Sequence, residues 1–127
     1  MTTELFYLLL SLGLLVLLHL IEVFHTLLAL GPVRALSGVA RMNLPDWRVR
    51  LMNTVTNLTQ NLVIFAGLVL TATLLGVSTQ LTVIGAAMFF YARVVHALVY
   101  VFRVPFMRAP AYLTGLAGCI LIAVELL

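Results

Sequence analysis

The sequence predicts an all-α membrane protein, folded as a four-helix transmembrane bundle without a water-soluble domain. Its 127 residues are 64% hydrophobic and only 9% charged, whereas soluble domains carry about 25% charged residues. A membrane-spanning helix needs about 20 apolar residues, and four apolar runs of roughly that length account for nearly the whole chain. We therefore expect one domain over residues 1–127, with helices at about 5–30, 51–75, 81–102 and 110–127.

The first predicted helix follows an acidic N-terminal segment that ends at Glu4. Its apolar run is far longer than the apolar core of a signal peptide, so we predict a helix that is retained in the mature protein. Gly31 and Pro32 follow the run directly. A glycine followed by a proline at this position is a strong signal for the end of a helix.

Turn residues and arginines separate the other three predicted helices. The second ends before Gly76, which opens a short uncharged turn, and the third ends before Arg103. The fourth contains Gly115 and Gly118. Small residues of this kind let two helices approach closely inside a membrane, so we expect this helix to pack tightly against a neighbour.

The arginines predict how the chain crosses the membrane. Six of the seven lie in the segments after the first and third predicted helices, and none lies in the turn after the second. Because basic residues remain on the cytoplasmic side, we expect both termini on the non-cytoplasmic side of a bacterial inner membrane. The arginines are not clustered on a soluble surface, so we expect no nucleic-acid partner. The six are Arg34, Arg41, Arg48, Arg50, Arg103 and Arg108.

Polar side chains inside the predicted helices mark a candidate site, because such groups are costly in lipid and usually face the bundle interior. The second and third helices each carry a polar face, and both faces fall in the cytoplasmic half of the bilayer at about 1.5 Å of rise per residue. Two such faces predict a polar pocket, with a network that only holds the helices together as the alternative. The residues are Asn53, Thr56, Asn57 and Gln60 in the second helix and Arg93, His96 and Tyr100 in the third.

The first predicted helix carries an acid of its own, Glu22, between His19 and His25. Because Glu22 and Arg93 have similar predicted depths, we expect a structural ion pair between them, within or between subunits. The other acids lie near the membrane edges, so we expect no carboxylate-bridged metal centre. Binding of one metal ion or a haem by His19, Glu22 and His25 is a further alternative.

The residue order around the third predicted helix is similar to that of a known family. The pattern R-x-x-H-x-x-x-Y, formed by Arg93, His96 and Tyr100, is followed by a proline, an arginine and an aromatic residue. This order resembles the third helix and following loop of the MAPEG family, the membrane-associated proteins in eicosanoid and glutathione metabolism. The later three positions are Pro105, Arg108 and Tyr112.

Two further segments extend the resemblance over nearly the whole chain. The run from Asn57 to Phe65 is similar to the N-x-x-E stretch of the family, and the segment from Gly31 to Arg34 is similar to the end of its first helix. The chain thus resembles a divergent, prokaryotic-type member of the family.

The resemblance implies a homotrimer of four-helix subunits, with glutathione bound between subunits and a lipophilic small molecule arriving from the lipid bilayer. Arg108 matches the arginine that stabilises the glutathione thiolate, which makes it the candidate catalytic residue. The other candidate ligand-binding residues match glutathione-contacting positions or lie on the two polar faces. They are Arg34, Asn57, His96 and Tyr100 in the first group and Asn53, Gln60 and Arg93 in the second.

Two positions depart from the pattern Arg-x-x-x-Asn-x-x-Glu of catalytic members, since Asn53 replaces the arginine and Gln60 the glutamate. Glutathione carboxylates prefer arginine and its amino group prefers a carboxylate, so each change should weaken binding by about 1.5–3 kcal/mol. Two hypotheses follow. One is a glutathione transferase or peroxidase acting on lipophilic electrophiles. The other is a non-catalytic relative that binds another small molecule or lipid, or that acts as a subunit of a larger membrane complex.

Overall fold

The computed structural model describes residues 1–36 and 44–127, and within these ranges the chain forms five helices. Arg41, one of the arginines that predict the orientation, lies outside the described residues. The helices are α1 (Thr3–Leu30), α2 (Pro32–Leu36), α3 (Asp46–Leu75), α4 (Gln80–Val101) and α5 (Arg108–Leu126).

Four of these helices, α1, α3, α4 and α5, are long and apolar enough to cross a membrane. They occupy the four segments for which the sequence predicts spanning helices, so the prediction of an all-α transmembrane bundle is confirmed. The chain is therefore an integral membrane protein that crosses the bilayer several times and contacts lipid with its outer surface.

All four spanning helices begin earlier than predicted, α4 by one residue, α1 and α5 by two, and α3 by five. α3 begins at Asp46, because Pro45 is well suited to precede a helix and an acid in the first turn is favoured by the helix dipole. α5 begins at Arg108 and accommodates Pro110 in its first turn, where the missing N–H has no helical partner to lose. The short helix α2 has too few residues for a periodic pattern and was not predicted.

α4 and α5 form the most closely packed pair of helices. A Cβ built on Gly85 of α4 would lie 2.5 Å from the carbonyl oxygen of Gly118 in α5, and a Cβ on Gly118 would collide with the carbonyl oxygen of Gly85. Both glycines are therefore needed for the two backbones to touch. The predicted tight packing of the last helix is confirmed.

The apolar core joins all four spanning helices. Phe65 of α3 and Phe89 of α4 are fully buried, and their rings stack with centroids 4.0 Å apart and an interplanar angle of 13°. Leu8 of α1 and Ile122 of α5 belong to the same buried cluster. α3 and α4 thus form the centre of the bundle, and α1 and α5 each pack against both of them.

The outer surfaces of α1 and α3 differ in character. α1 exposes mostly apolar side chains such as Leu20 and Leu28, which are suited to contact with lipid. α3, by contrast, exposes polar side chains inside its membrane-spanning length. They include Asn53, Thr56, Thr59 and Gln60.

Candidate ligand-binding site

A cavity of about 560 Å³ lies where α3, α4 and the start of α5 meet. Small-molecule sites in proteins typically measure about 300–1,000 Å³, so the cavity is large enough for a ligand. α3 contributes a polar helix face to the lining, and α4 contributes the rings of His96 and Tyr100. The first two turns of α5 complete it. The lining residues are Asn53, Thr56, Asn57, Gln60, His96, Tyr100, Arg108, Ala109, Tyr112 and Leu113.

Tyr100 organises the wall that α4 contributes. Its ring stacks with that of His96, with centroids 5.9 Å apart and an interplanar angle of 14°. Arg108 Cζ lies 5.2 Å from the centroid of the Tyr100 ring, within the range of a cation–π contact. Asn53 Nδ2 donates to the Tyr100 hydroxyl oxygen at 3.3 Å. The Tyr100 hydroxyl proton therefore remains available to a ligand.

The Asn57 amide is oriented from behind the cavity wall. Arg93 Nη1 donates to Asn57 Oδ1 at 2.8 Å, and Asn61 Nδ2 approaches the same oxygen at 3.4 Å. A guanidinium can only donate hydrogen bonds, so the amide oxygen of Asn57 must face Arg93. The Nδ2 group of Asn57 is therefore left to donate to a ligand.

Arg93 does not line the cavity, although the sequence predicts it as a ligand-binding residue. It is only 2% exposed, and its Cζ lies 5.3 Å from the Phe89 ring centroid and 5.2 Å from that of Tyr112. Its Nη2 also donates to the Tyr112 carbonyl oxygen at 3.3 Å. The two rings and the hydrogen bonds hold the guanidinium inside the bundle, behind the cavity wall.

The predicted ion pair between Glu22 and Arg93 does not form within the chain. Glu22 Oε1 lies 3.8 Å from Arg48 Nη1 instead, and Arg48 Nη2 donates to the Glu22 carbonyl at 3.2 Å and to the Thr26 hydroxyl at 3.1 Å. A pair between subunits stays a prediction. Similar depth in the bilayer does not determine which neighbouring helix a side chain faces. Glu22 faces the first turn of α3.

The cavity presents several hydrogen-bond donors and, from the described residues, one permanent cation. Among the residues that the structure describes, Arg108 is the single arginine that lines it, and the amides of Asn57 and Gln60 and the Tyr100 hydroxyl supply further donors. Such a wall suits a ligand with carboxylate or thiolate groups, because hydrogen bonds to a charged acceptor are about twice as strong as neutral ones. Leu113 adds an apolar margin.

The structure brings most of the sequence-predicted site residues to this cavity, namely Asn53, Asn57, Gln60, His96, Tyr100 and Arg108. Arg34 lies in α2 and does not line it. Tyr112 and Leu113 were not predicted as ligand-binding residues. They follow Arg108 and Ala109 by one helical turn, a spacing that would have placed them on the same face if α5 had been predicted to begin at Arg108. The role of the cavity residues in binding glutathione stays a prediction.

The histidines of α1 lie away from this cavity. His19 Nδ1 donates to the Leu15 carbonyl at 3.0 Å, and the His25 ring meets the Trp47 ring edge-on with centroids 4.8 Å apart. Within residues 1–36 and 44–127, no group of three or more His, Cys, Asp or Glu side chains is arranged to hold a metal ion. The alternative of a shared metal ion at His19, Glu22 and His25 finds no support in this geometry.

The family model described as MAPEG family matches residues 5–127 of the chain. The matched range contains all residues that line the cavity, from Asn53 to Leu113. No curated protein and no solved structure matches the chain.

Proposed function

The chain belongs to the MAPEG family, and on this premise we propose that it binds glutathione in the cavity between α3, α4 and α5 and transfers its thiol to lipophilic electrophiles or peroxides. The observation that carries the proposal is that Asn57, Tyr100 and Arg108 line one cavity of about 560 Å³. Each of them offers a hydrogen-bond donor to an anionic ligand, and glutathione carries two carboxylates and a thiol that reacts as its anion.

Arg108 is the proposed catalytic residue. A guanidinium held near the sulfur stabilises the thiolate and the negative charge that remains on it as it attacks. Its contact with the Tyr100 ring, at 5.2 Å, holds it at the edge of the cavity. The thiol proton passes to water, the sulfur bonds to the electrophilic carbon, and the leaving group departs with its electron pair. With a hydroperoxide, the sulfur attacks the outer oxygen, the O–O bond breaks, and the alkoxide leaves with the bonding electron pair and takes a proton from water. A second glutathione thiolate then attacks the sulfur of the resulting sulfenic acid, and the hydroxyl leaves as water to give the disulfide.

His96 and Tyr100 are the proposed orienting residues. The stacked rings form a flat wall against which the ligand rests, and the Tyr100 hydroxyl retains its proton for donation. Asn57 adds a second fixed donor on the opposite helix. A ligand held from both sides presents its thiol in one position relative to Arg108, which lowers the entropy lost on reaching the transition state.

We further propose that the protein assembles as a homotrimer with the ligand bound between subunits. Support comes from α3, which exposes Asn53, Thr56 and Gln60 inside a membrane-spanning length. Amide side chains are poorly suited to face lipid, and a second copy of the chain would cover them. Native mass spectrometry in mild detergent tests this assembly. The proposal predicts a trimer, and a strictly monomeric or dimeric particle would contradict it.

The neutral residues of α3 favour a second candidate function. Asn53 and Gln60 line the cavity at the two positions that depart from the pattern of catalytic members. A wall with one arginine and several amides would also accept an uncharged polar ligand. On this alternative, the protein binds another small molecule or lipid, or acts as a subunit of a larger membrane complex, without catalysis.

Conjugation of glutathione to an apolar electrophile by the purified protein tests the proposal. We expect turnover at millimolar glutathione, a loss of about 100-fold or more in Arg108→Ala, and a smaller loss in Arg108→Lys, which keeps the charge. Thr71→Ala, an exposed change in α3 outside the cavity, is the control and should retain full activity. Absence of turnover in the wild type, or full activity in Arg108→Ala with the oligomer intact, would contradict the proposal.

A further inference from the structure

A cationic surface beside the connection between α4 and α5 includes two arginines that the proposed glutathione site does not use. A second cavity of about 520 Å³ lies beside the first. Arg50 of α3 and Arg103 of the connection line it, and Arg108 and Tyr100 line both cavities. Three guanidinium groups thus surround one cavity, and two of them have no part in the first site.

Arg103 has a backbone conformation that favours glycine. Its φ is 57°, and the N–H of Val104 donates to the Val99 carbonyl at 3.0 Å, the hydrogen bond of a Schellman helix end. α3 ends in the same type of turn, and there the left-handed residue is Gly76 with φ 68°. An arginine is unfavourable at such a backbone position, which suggests that its side chain has a role there.

Arg50 and Arg103 have N–H groups that could donate hydrogen bonds to a ligand. Arg50 uses its Nε on the Val101 carbonyl at 3.2 Å, and its two terminal amino groups are not needed for that bond. Arg103 Nη2 lies 3.1 Å from Asp46 Oδ2, in a pair whose side chains are 63% and 83% exposed. An exposed pair of this kind is weak and is easily exchanged for another anion. Three guanidinium groups against one carboxylate leave the cavity with excess positive charge.

Exposed apolar side chains flank the arginines. Phe102 and Phe106 are 72% and 94% exposed, and Val104 and Met107 are exposed as well. The connection joins two membrane-spanning helices, so it lies at the bilayer surface, where aromatic side chains enter the headgroup region. A soluble anion would have no use for these apolar groups, whereas a phospholipid offers a phosphate to the arginines and acyl chains to the phenylalanines.

We propose that this cavity binds the phosphate headgroup of an anionic phospholipid. Arg50 and Arg103 contact the phosphate, because a guanidinium can engage two phosphate oxygens at once. Phe102 and Phe106 pack against the acyl chains near the headgroup. Asp46 competes with the lipid for Arg103. The lipid thus binds next to the first cavity and shares Arg108 with it.

Lipid titration of the full-length protein in uncharged detergent tests the site. Phosphatidylglycerol should raise the melting temperature and remain bound in native mass spectrometry, while phosphatidylcholine with the same acyl chains should do neither to a comparable extent. Inorganic phosphate at the same concentration is the third arm. Equal effects of phosphatidylglycerol and phosphatidylcholine would overturn the proposal, and an equal effect of free phosphate would show that the site takes a soluble anion. Neither readout involves glutathione, so failure here leaves the proposed function untouched.

Some substitutions should weaken lipid binding and one should strengthen it, which makes the test specific to this cavity. Arg103→Gly should raise the melting temperature without lipid, since glycine relieves the left-handed backbone, yet it should weaken phosphatidylglycerol binding about fivefold or more. Arg50→Gln should weaken binding similarly, and Asp46→Asn should strengthen it by releasing Arg103. Arg34→Gln, which removes an exposed arginine of α2 outside the cavity, is the charge-matched control. Unchanged lipid binding in Arg103→Gly, or an equal loss in Arg34→Gln, would overturn the proposal.

Discussion

Arg93 links three helices through one guanidinium. From α4 it donates to the Asn57 side chain of α3 and to the Tyr112 carbonyl of α5. A Cβ added at Gly115 would lie 2.6 Å from Arg93 Nη2, so the missing side chain at Gly115 provides the space for the guanidinium. The direction of the Asn57 amide, and with it one donor of the cavity, therefore depends on two residues that do not line it.

We expect Gly115→Ala to destabilise the protein by about 1–3 kcal/mol, because the new methyl group must displace Arg93 or separate α4 from α5. Gly13→Ala in α1 is the matched control, since a Cβ at Gly13 has nothing within 4 Å. Alanine is the better residue there by about 0.5–1 kcal/mol, so this variant should be neutral or more stable. Reversible unfolding in mild detergent measures both free energies. Equal destabilisation by the two changes would contradict the role of Gly115.

At the scale of single residues, helical spacing predicted much of the candidate site. Asn53, Asn57 and Gln60 lie on one face of α3 at the spacing that the sequence displays, and they line the cavity. Arg93 lies on the same face of α4 as Tyr100, yet its guanidinium is held away from the cavity. Contacts with the Phe89 and Tyr112 rings and the space left by Gly115 determine its position. Spacing along one helix carries no information about such partners.

At the scale of whole helices, Glu4 ties the start of α1 to the turn between α3 and α4. Ser78 Oγ donates to the two carboxylate oxygens of Glu4 at 2.8 and 3.2 Å, and the Thr82 hydroxyl also donates to Glu4. Glu4 is only 2% exposed. Thr82 also forms the capping box with Thr79 at the start of α4, so one cluster joins the ends of three helices.

Glu4→Ala should destabilise the protein by about 1.5–3 kcal/mol, since it removes a charged acceptor from the buried Thr82 hydroxyl and from the exposed Ser78 hydroxyl. Glu125→Ala changes an acid in the last turn of α5 that is half-buried, and it should alter stability by less than about 0.5 kcal/mol. Thermal unfolding of the two variants side by side provides the measurement. A loss in Glu125→Ala as large as that in Glu4→Ala would refute a specific role for the Glu4 cluster.

The number and order of the spanning helices could be predicted because each is a long apolar run, and composition alone identifies such runs. The start of α3 could not, because the arginine-rich segment around Arg48 is polar and reads as a loop. Arg48 lies there because Glu22 and Thr26 of α1 offer it partners. The role of Glu4 was missed for a similar reason, since its partners follow more than 70 residues later in the chain.

At the scale of the whole molecule, the orientation in the membrane stays a prediction. The arginine-rich segments before α3 and after α4 should face the cytoplasm, and the turn after Gly76 and both termini should face the opposite side. Topology reporters fused after Leu127 and after Val101 measure the two sides independently. We expect opposite results for the two fusions, and a cytoplasmic result at Leu127 would reverse the assigned orientation.

The central claim is that the cavity between α3, α4 and α5 holds glutathione. The charges of the residues that line the cavity predict how strongly glutathione binds. Asn53 and Gln60 line the cavity as neutral residues. An arginine and a glutamate at these positions would add one cation for a glutathione carboxylate and one anion for its amino group. Wild-type binding should therefore be weak but measurable, and it should respond to the charges at these two positions.

Isothermal titration calorimetry of glutathione binding to the wild type and to the double variant Asn53→Arg, Gln60→Glu tests this claim most directly. We expect binding at millimolar glutathione for the wild type and an affinity about tenfold higher or more for the double variant, a gain of about 1.4 kcal/mol. If the wild type does not bind at millimolar glutathione and the double variant gains nothing, the cavity is not a glutathione site.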